Sequence, residues 1–94
     1  MKHKVQPLVD IVDSAENFYL YFDLPGVNES DLDVGVEGHV LSVQAKQLIG
    51  DPDKPETYRE KNYECHYELG ETIDVEKIKA KLDQGVLKLD LPKI

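Results

Sequence analysis

Alternation with a period of two runs through almost the whole of this sequence, and no stretch repeats its apolar residues at helical spacing over three turns. Successive side chains of a strand point to opposite faces, so such alternation marks ribbons with one dry and one wet side. In "VLKLDL" (86–91), Leu87, Leu89 and Leu91 share one face and Val86 looks the other way. "PLVDIVD" (7–13) alternates Val9 and Ile11 with Asp10. "NFYLYFDL" (17–24) is rich in aromatics, which suit a pleated surface, and it ends at the turn signal Pro25-Gly26. "DLDVGVEG" (31–38) sets Leu32, Val34 and Val36 against Asp31, Asp33, Gly35 and Glu37. Glu37-Gly38-His39 then turns the chain into "VLSVQAK" (40–46), with Leu41, Val43 and Ala45 in phase, which predicts a hairpin.

Residues 47–57, "QLIGDPDKPET", hold Pro52, Pro55 and Gly50 and predict a loop. "YREKNYECHYEL" (58–69) contains neither Gly nor Pro and puts Tyr63, Cys65, Tyr67 and Leu69 on one face. Tyr58 has the opposite parity, which predicts a bulge or a late strand start. "DVEK" (74–77) allows one helical turn before "IKAKL" (78–82) and the closing strand, with Gly85 turning the chain between them at little conformational cost. About seven short strands with regular turn signals predict an all-β fold, a two-sheet antiparallel β-sandwich of immunoglobulin-like type.

Ninety-four residues predict a single domain over 1–94 with a thin core. Nineteen acidic against eleven basic side chains give a net charge of −8. That charge repels phosphate backbones and anionic lipid heads, and no Lys/Arg run offers a local exception, so neither nucleic acid nor membrane is expected as a partner. Met1-Lys2-His3-Lys4 is followed by no apolar run of signal-peptide length. The lone Cys65 cannot staple the fold, which suits a reducing, cytoplasmic setting.

Chemistry has little to work with. His3 lies at the terminus and His39 in a hairpin turn, while Cys65 and His66 are strand neighbours that face opposite ways and cannot form a thiolate–imidazole dyad. Asp51-x-Asp53 resembles the start of a calcium loop, but Pro52 and Pro55 intrude and the sixth-position glycine is missing. The chain lacks the G-x-x-x-x-G-K-[ST] loop that cradles nucleotide phosphates. The expectation is a protein with no catalytic residue, no metal and no cofactor, and not an enzyme.

Ala80-x-Leu82-x-Gln84-Gly85-Val86-Leu87 resembles the A-x-x-x-n-G-V-L signature of the small heat shock proteins, the α-crystallin domain. Leu91-Pro92-Lys93, "PLVDIVD", "DLPGVNESDLDV" (23–34) and "GHVLSVQAK" (38–46) match the family in order and spacing, so the resemblance covers 7–93. It implies an ATP-independent holdase that keeps partly unfolded client proteins from aggregating. It also implies a groove between the strands at 31–37 and 78–82, carried here by Val34, Val36, Ala80 and Leu82. Taken singly, each of those four residues reads first as an ordinary core side chain. A p23-like sandwich serving as an adaptor to another chaperone is the alternative, but it is not expected to carry the G-V-L hairpin.

The resemblance further implies a homodimer. Family members either swap a strand from a long loop or run two strands together and pair them across a two-fold axis. The unbroken 58–69, after only eleven residues of loop, resembles the second arrangement. The expected dimer strand is 58–66, with Tyr58, Arg59, Lys61, Tyr63, Cys65 and His66. Twelve extended residues reach roughly 40 Å, against roughly 33 Å for a domain of this size, so the strand is expected to overhang and recruit a second copy. The family usually has arginine where Cys65 or His66 stands; Cys65 itself reads first as a half-buried free thiol, with oxidation against its mate across a two-fold axis as the weaker alternative. Only six residues precede the first matching strand and Ile94 is the last, so the apolar N-terminal arm and the C-terminal I-x-I tail are expected to be absent. A dimer with weak holding activity follows from that, in place of a large oligomer.

Overall fold

The computed structural model describes residues 4–51 and 53–94, with only the backbone of Lys4. His3 and Pro52 lie outside the described residues. The strands are β1 (Lys4–Val5), β2 (Val9–Asp13), β3 (Asn17–Asp23), β4 (Leu32–Glu37), β5 (Val40–Ile49), β6 (Arg59–Glu68), β7 (Lys79–Asp83) and β8 (Val86–Pro92). They form two four-stranded sheets, ordered β1-β6-β5-β4 and β2-β3-β8-β7. Three single 3-10 turns interrupt them, at Glu29–Asp31, Pro55–Thr57 and Val75–Lys77. The last is the helical turn expected at 74–77, and the Asp74 carboxylate caps it by accepting from the Glu76 N–H at 3.3 Å.

The two-beat pattern explains the core. Cα partners across a ladder share a face, so the registers Phe22↔Leu87 and Leu20↔Leu89, with Leu91 opposite Phe18, build one apolar floor. Val43↔Cys65, Ala45↔Tyr63 and Leu41↔Tyr67 build the facing ceiling. Phe22, Leu41, Val43, Leu87 and Leu89 are completely buried, and each such side chain contributes about 1.5–3 kcal/mol relative to an exposed one. Val86 points outward, as its phase requires. Leu24 and Val27, in the crossover from β3 to β4, and Ile73, in that from β6 to β7, close the ends of the core. Phe22 meets Tyr67 edge to face, with ring centroids 6.0 Å apart. This contact sets the second strand of one sheet over the second of the other, and β4 and β7 are edge strands, one in each sheet.

The β7–β8 turn joins two of the motifs that carried the resemblance. Asp83 pairs with Val86, so Gln84 and Gly85 are the whole turn, with φ of 48° and 79°. Two positive φ values in succession are the type I′ geometry, which matches the twist of the flanking strands. The Gly85 carbonyl accepts from the Leu24 N–H at 2.7 Å, and a Cβ on Gly85 would lie 3.2 Å from the Cα of Pro25.

Several expectations are corrected. Pairing is antiparallel except between β1 and β6, which run parallel with Lys4 opposite Asn62 and Val5 opposite Tyr63. β5 continues through Gln47, Leu48 and Ile49, residues expected in the loop, because they find partners at Lys61, Glu60 and Arg59. The Gln47 side chain stitches this extension down, donating to the Pro25 carbonyl and accepting from the Tyr63 hydroxyl at 3.3 Å. β6 starts at Arg59, so Tyr58 marks a late start and not a bulge. The expected overhang does not occur. The ten residues of β6 are matched one for one by ten of β5, in a body 50 Å along its longest axis. What β6 leaves open is its far side, where among the described residues β1 spans two.

Candidate functional site: an open flank and a free edge

The edge strands β4 and β7 both carry apolar side chains on their core-facing sides. Val34 and Val36 stand opposite Val43 and Leu41 in the register of β4 with β5. Leu82 and Ala80 stand opposite Leu87 and Leu89 in that of β7 with β8. Val34 and Leu82 are half-buried and pack on the core, whereas Val36 is 37% exposed and Ala80 is exposed. One row thus runs Leu20–Leu89–Ala80, from fully dry to open within two strands. The four residues expected from the sequence sit on two edge strands, one in each sheet. Apolar surface there stands beside strand edges that offer backbone N–H and C=O groups to an extended segment.

The six residues expected on the dimer strand do not share a face. Arg59, Lys61, Tyr63 and Cys65 have one parity along β6, and His66 has the other. Tyr58 precedes the strand. Tyr63 is buried, with the Lys61 ammonium 5.1 Å from its ring centre. His66 is exposed, and its Nε2 lies 3.2 Å from the Glu64 carboxylate. A strand edge pairs through its backbone, so side chains on both faces can flank one pairing.

Cys65 is buried opposite Val43, in the core-facing row. Its thiol is free, and its sulfur lies between the sheets and not on an edge. Burial pushes its thiol above the usual value, and the Glu64 carboxylate adds to that, against a smaller opposing effect of a hydrogen bond with the Val43 backbone. The same burial raises the Tyr67 hydroxyl, with Cys65 adding to it.

Other candidates stay apart. His39 occupies the exposed β4–β5 turn, where its carbonyl accepts from the Leu69 N–H at 2.6 Å. The Asp51 carboxylate is used locally, accepting from the Asp53 N–H at 2.9 Å. Among the described residues no three His, Cys, Asp or Glu side chains converge as metal ligands would. A hollow of about 420 Å³ on the outer face of the β1-β6-β5-β4 sheet escaped the sequence reading. Its signal was only the polar phase of β4, β5 and β6, and its Lys46 stands 3.9 Å from Asp31 and 3.7 Å from Glu60. Also missed was the outer edge of β2, with Ile11 59% and neighbouring Leu8 78% exposed. No helix among the described residues is long and apolar enough to cross a membrane.

Comparison with known proteins agrees with this architecture. Residues 10–94 match the model of the Hsp20/alpha crystallin family. The chain is 37% identical over 81 residues to the 18 kDa antigen of Mycobacterium leprae, a match covering 83% of this chain and 55% of that protein. It is 37% identical over 90 residues to a probable 15 kDa heat shock protein of Leptospira interrogans, covering 93% of this chain and 69% of the other. It therefore spans about half the length of the mycobacterial relative. A small heat-shock protein from Xylella fastidiosa, whose crystal structure reveals a distinct high order structure, superposes with a TM-score of 0.81 at 28% identity, over 93% of this chain and 84% of that one.

Proposed function

This chain belongs to the Hsp20/alpha crystallin family, whose members are chaperones and not enzymes, and from that membership we propose that it acts as an ATP-independent holdase core. It holds partly unfolded proteins by laying an extended apolar segment along the β4–β7 flank. Val34, Val36 and Leu82 contribute apolar contact and Ala80 a shallow opening. The observation that carries this reading is the row Leu20–Leu89–Ala80, whose outer end is uncovered beside a strand edge. The second partner is another copy of the chain, paired through residues 58–66 of β6 and the turn before it in a closed two-fold dimer. The far side of β6 supports this, since among the described residues β1 pairs with it at Asn62 and Tyr63 alone. A net charge of −8 disfavours nucleic acid and anionic membrane as partners, and the free Cys65 fits a cytoplasmic setting.

The test is light scattering of a heat-aggregating client, without ATP, with and without a stoichiometric amount of this protein. Suppression is expected, and Ala80→Glu weakens it without loss of fold because Ala80 is exposed. No suppression by the native chain would sink the holdase reading. For the dimer, amide exchange along β6 is expected to slow as protein concentration rises. A p23-like adaptor is disfavoured by the Gln84-Gly85 turn leading into Val86-Leu87, which carries the family signature.

A further inference from the structure

The edge that self-pairing requires is already in use at its middle. β1 lies parallel on β6 with Lys4 opposite Asn62 and Val5 opposite Tyr63. The proposed pairing segment, 58–66, has Asn62 at its centre, and a two-fold antiparallel pairing of that segment sets Asn62 against its own mate. Each backbone N–H and C=O pointing out of a sheet edge takes one strand neighbour at a time. β1 and a second protomer are therefore alternative occupants of the same site.

We infer that Lys4–Val5 is an internal plug on the β6 edge, one that must lift from both protomers before the strands can pair. This rests on the β6 pairing proposed above. The plug is built to be weak. Among the described residues it holds two pairs of ladder, and Val5 stays 37% exposed while it is docked. It is also built to remain close, because three residues separate Val5 from Val9 and Pro7 among them is buried. The dimer's apparent affinity is lowered by the unplugged fraction of each protomer, and that fraction enters twice. Any partner or modification that engages the chain around Lys4–Val5 then promotes dimerisation without touching β6, and a strengthened β1 opposes it.

The experiment is a dilution series by sedimentation velocity on three full-length chains: the native one, the double variant Lys4→Pro/Val5→Pro, and Val5→Thr. Proline removes the N–H and breaks the two-residue ladder, whereas threonine keeps a good strand former. The double variant is expected to dimerise about tenfold or more tightly than the native chain, with the melting temperature nearly unchanged, and Val5→Thr to match the native value. An unchanged or weaker affinity in the double variant overturns the plug while leaving β6 pairing in place. If none of the three self-associates, β6 pairing itself fails and the plug with it. A readout on the native chain guards against misfolding of the variant. Amide exchange in a peptide spanning residues 4–8 should quicken as concentration rises and dimers form. Protection there that is independent of dimerisation also overturns the inference.

Discussion

Two turns of the same length serve this sandwich differently. Glu37 pairs with Val40 around Gly38-His39, and Asp83 pairs with Val86 around Gln84-Gly85, so each hairpin closes in two residues. Each has a glycine at positive φ, 60° at Gly38 and 79° at Gly85. Around Gly38 there is open space, with no heavy atom beyond its own chain neighbours within 4 Å of where a Cβ would stand. Around Gly85 the Leu24-Pro25 backbone closes in, and Leu24 donates to its carbonyl. The first turn only reverses the chain. The second also ties β7, the strand carrying Ala80 and Leu82, to the crossover from β3 to β4. A local sequence signal sets the direction of the chain, and a tertiary neighbour sets how much depends on it.

That contrast can be broken or sharpened by substitution. The largest effect is expected from Gly85→Ala. It combines a left-handed backbone with a methyl pressed on Pro25, and should cost about 2–4 kcal/mol in urea unfolding. Client protection should weaken with it as β7 is displaced. Gly38→Ala meets only the backbone term and should cost about 1–2 kcal/mol, leaving client protection near native. Equal losses at the two glycines would erase the distinction. The smallest effect is expected from Gln84→Asn, which places the residue type favoured in a type I′ turn where φ is 48° and should add about 0.3–0.7 kcal/mol, read from the same urea unfolding. A destabilising Gln84→Asn would show that the Gln84 side chain has a role beyond the turn.

Legibility in the sequence follows the same division. Leu87, Leu89 and Leu91 could be assigned to the core because alternation is a local rule that burial enforces. The turn at 74–77 and the reversal at Gly85 likewise carried their signals in adjacent residues. β1 did not, since the two residues described there show no periodicity and are defined as a strand by their pairing with Asn62 and Tyr63. The extension of β5 through Ile49 was hidden for a related reason. Gln47 reads as a loop residue until Pro25 and Tyr63 are seen at its two ends. At the candidate site, the phase of Val34, Val36, Ala80 and Leu82 was readable, but which of them packs inward was not. Exposure at an edge depends on how far the opposite sheet reaches. The overhang failed because it compared one strand with an average body size instead of with its own neighbour, β5.

The position of Cys65 turns this protein into its own opening counter. A thiol reagent can reach that sulfur only when the two layers part, so the labelling rate of the native chain reports how often they do. Exchange at loops and strand ends would miss such events. The folded thiol holds its proton more tightly than the unfolded one, whose ordinary value is 9.0. Its contribution to stability is therefore intact below that pH and drains away above it as the unfolded chain ionises first. Counting should be done well on the neutral side, where each modified molecule records a separation of the sheets and not a shift in acidity.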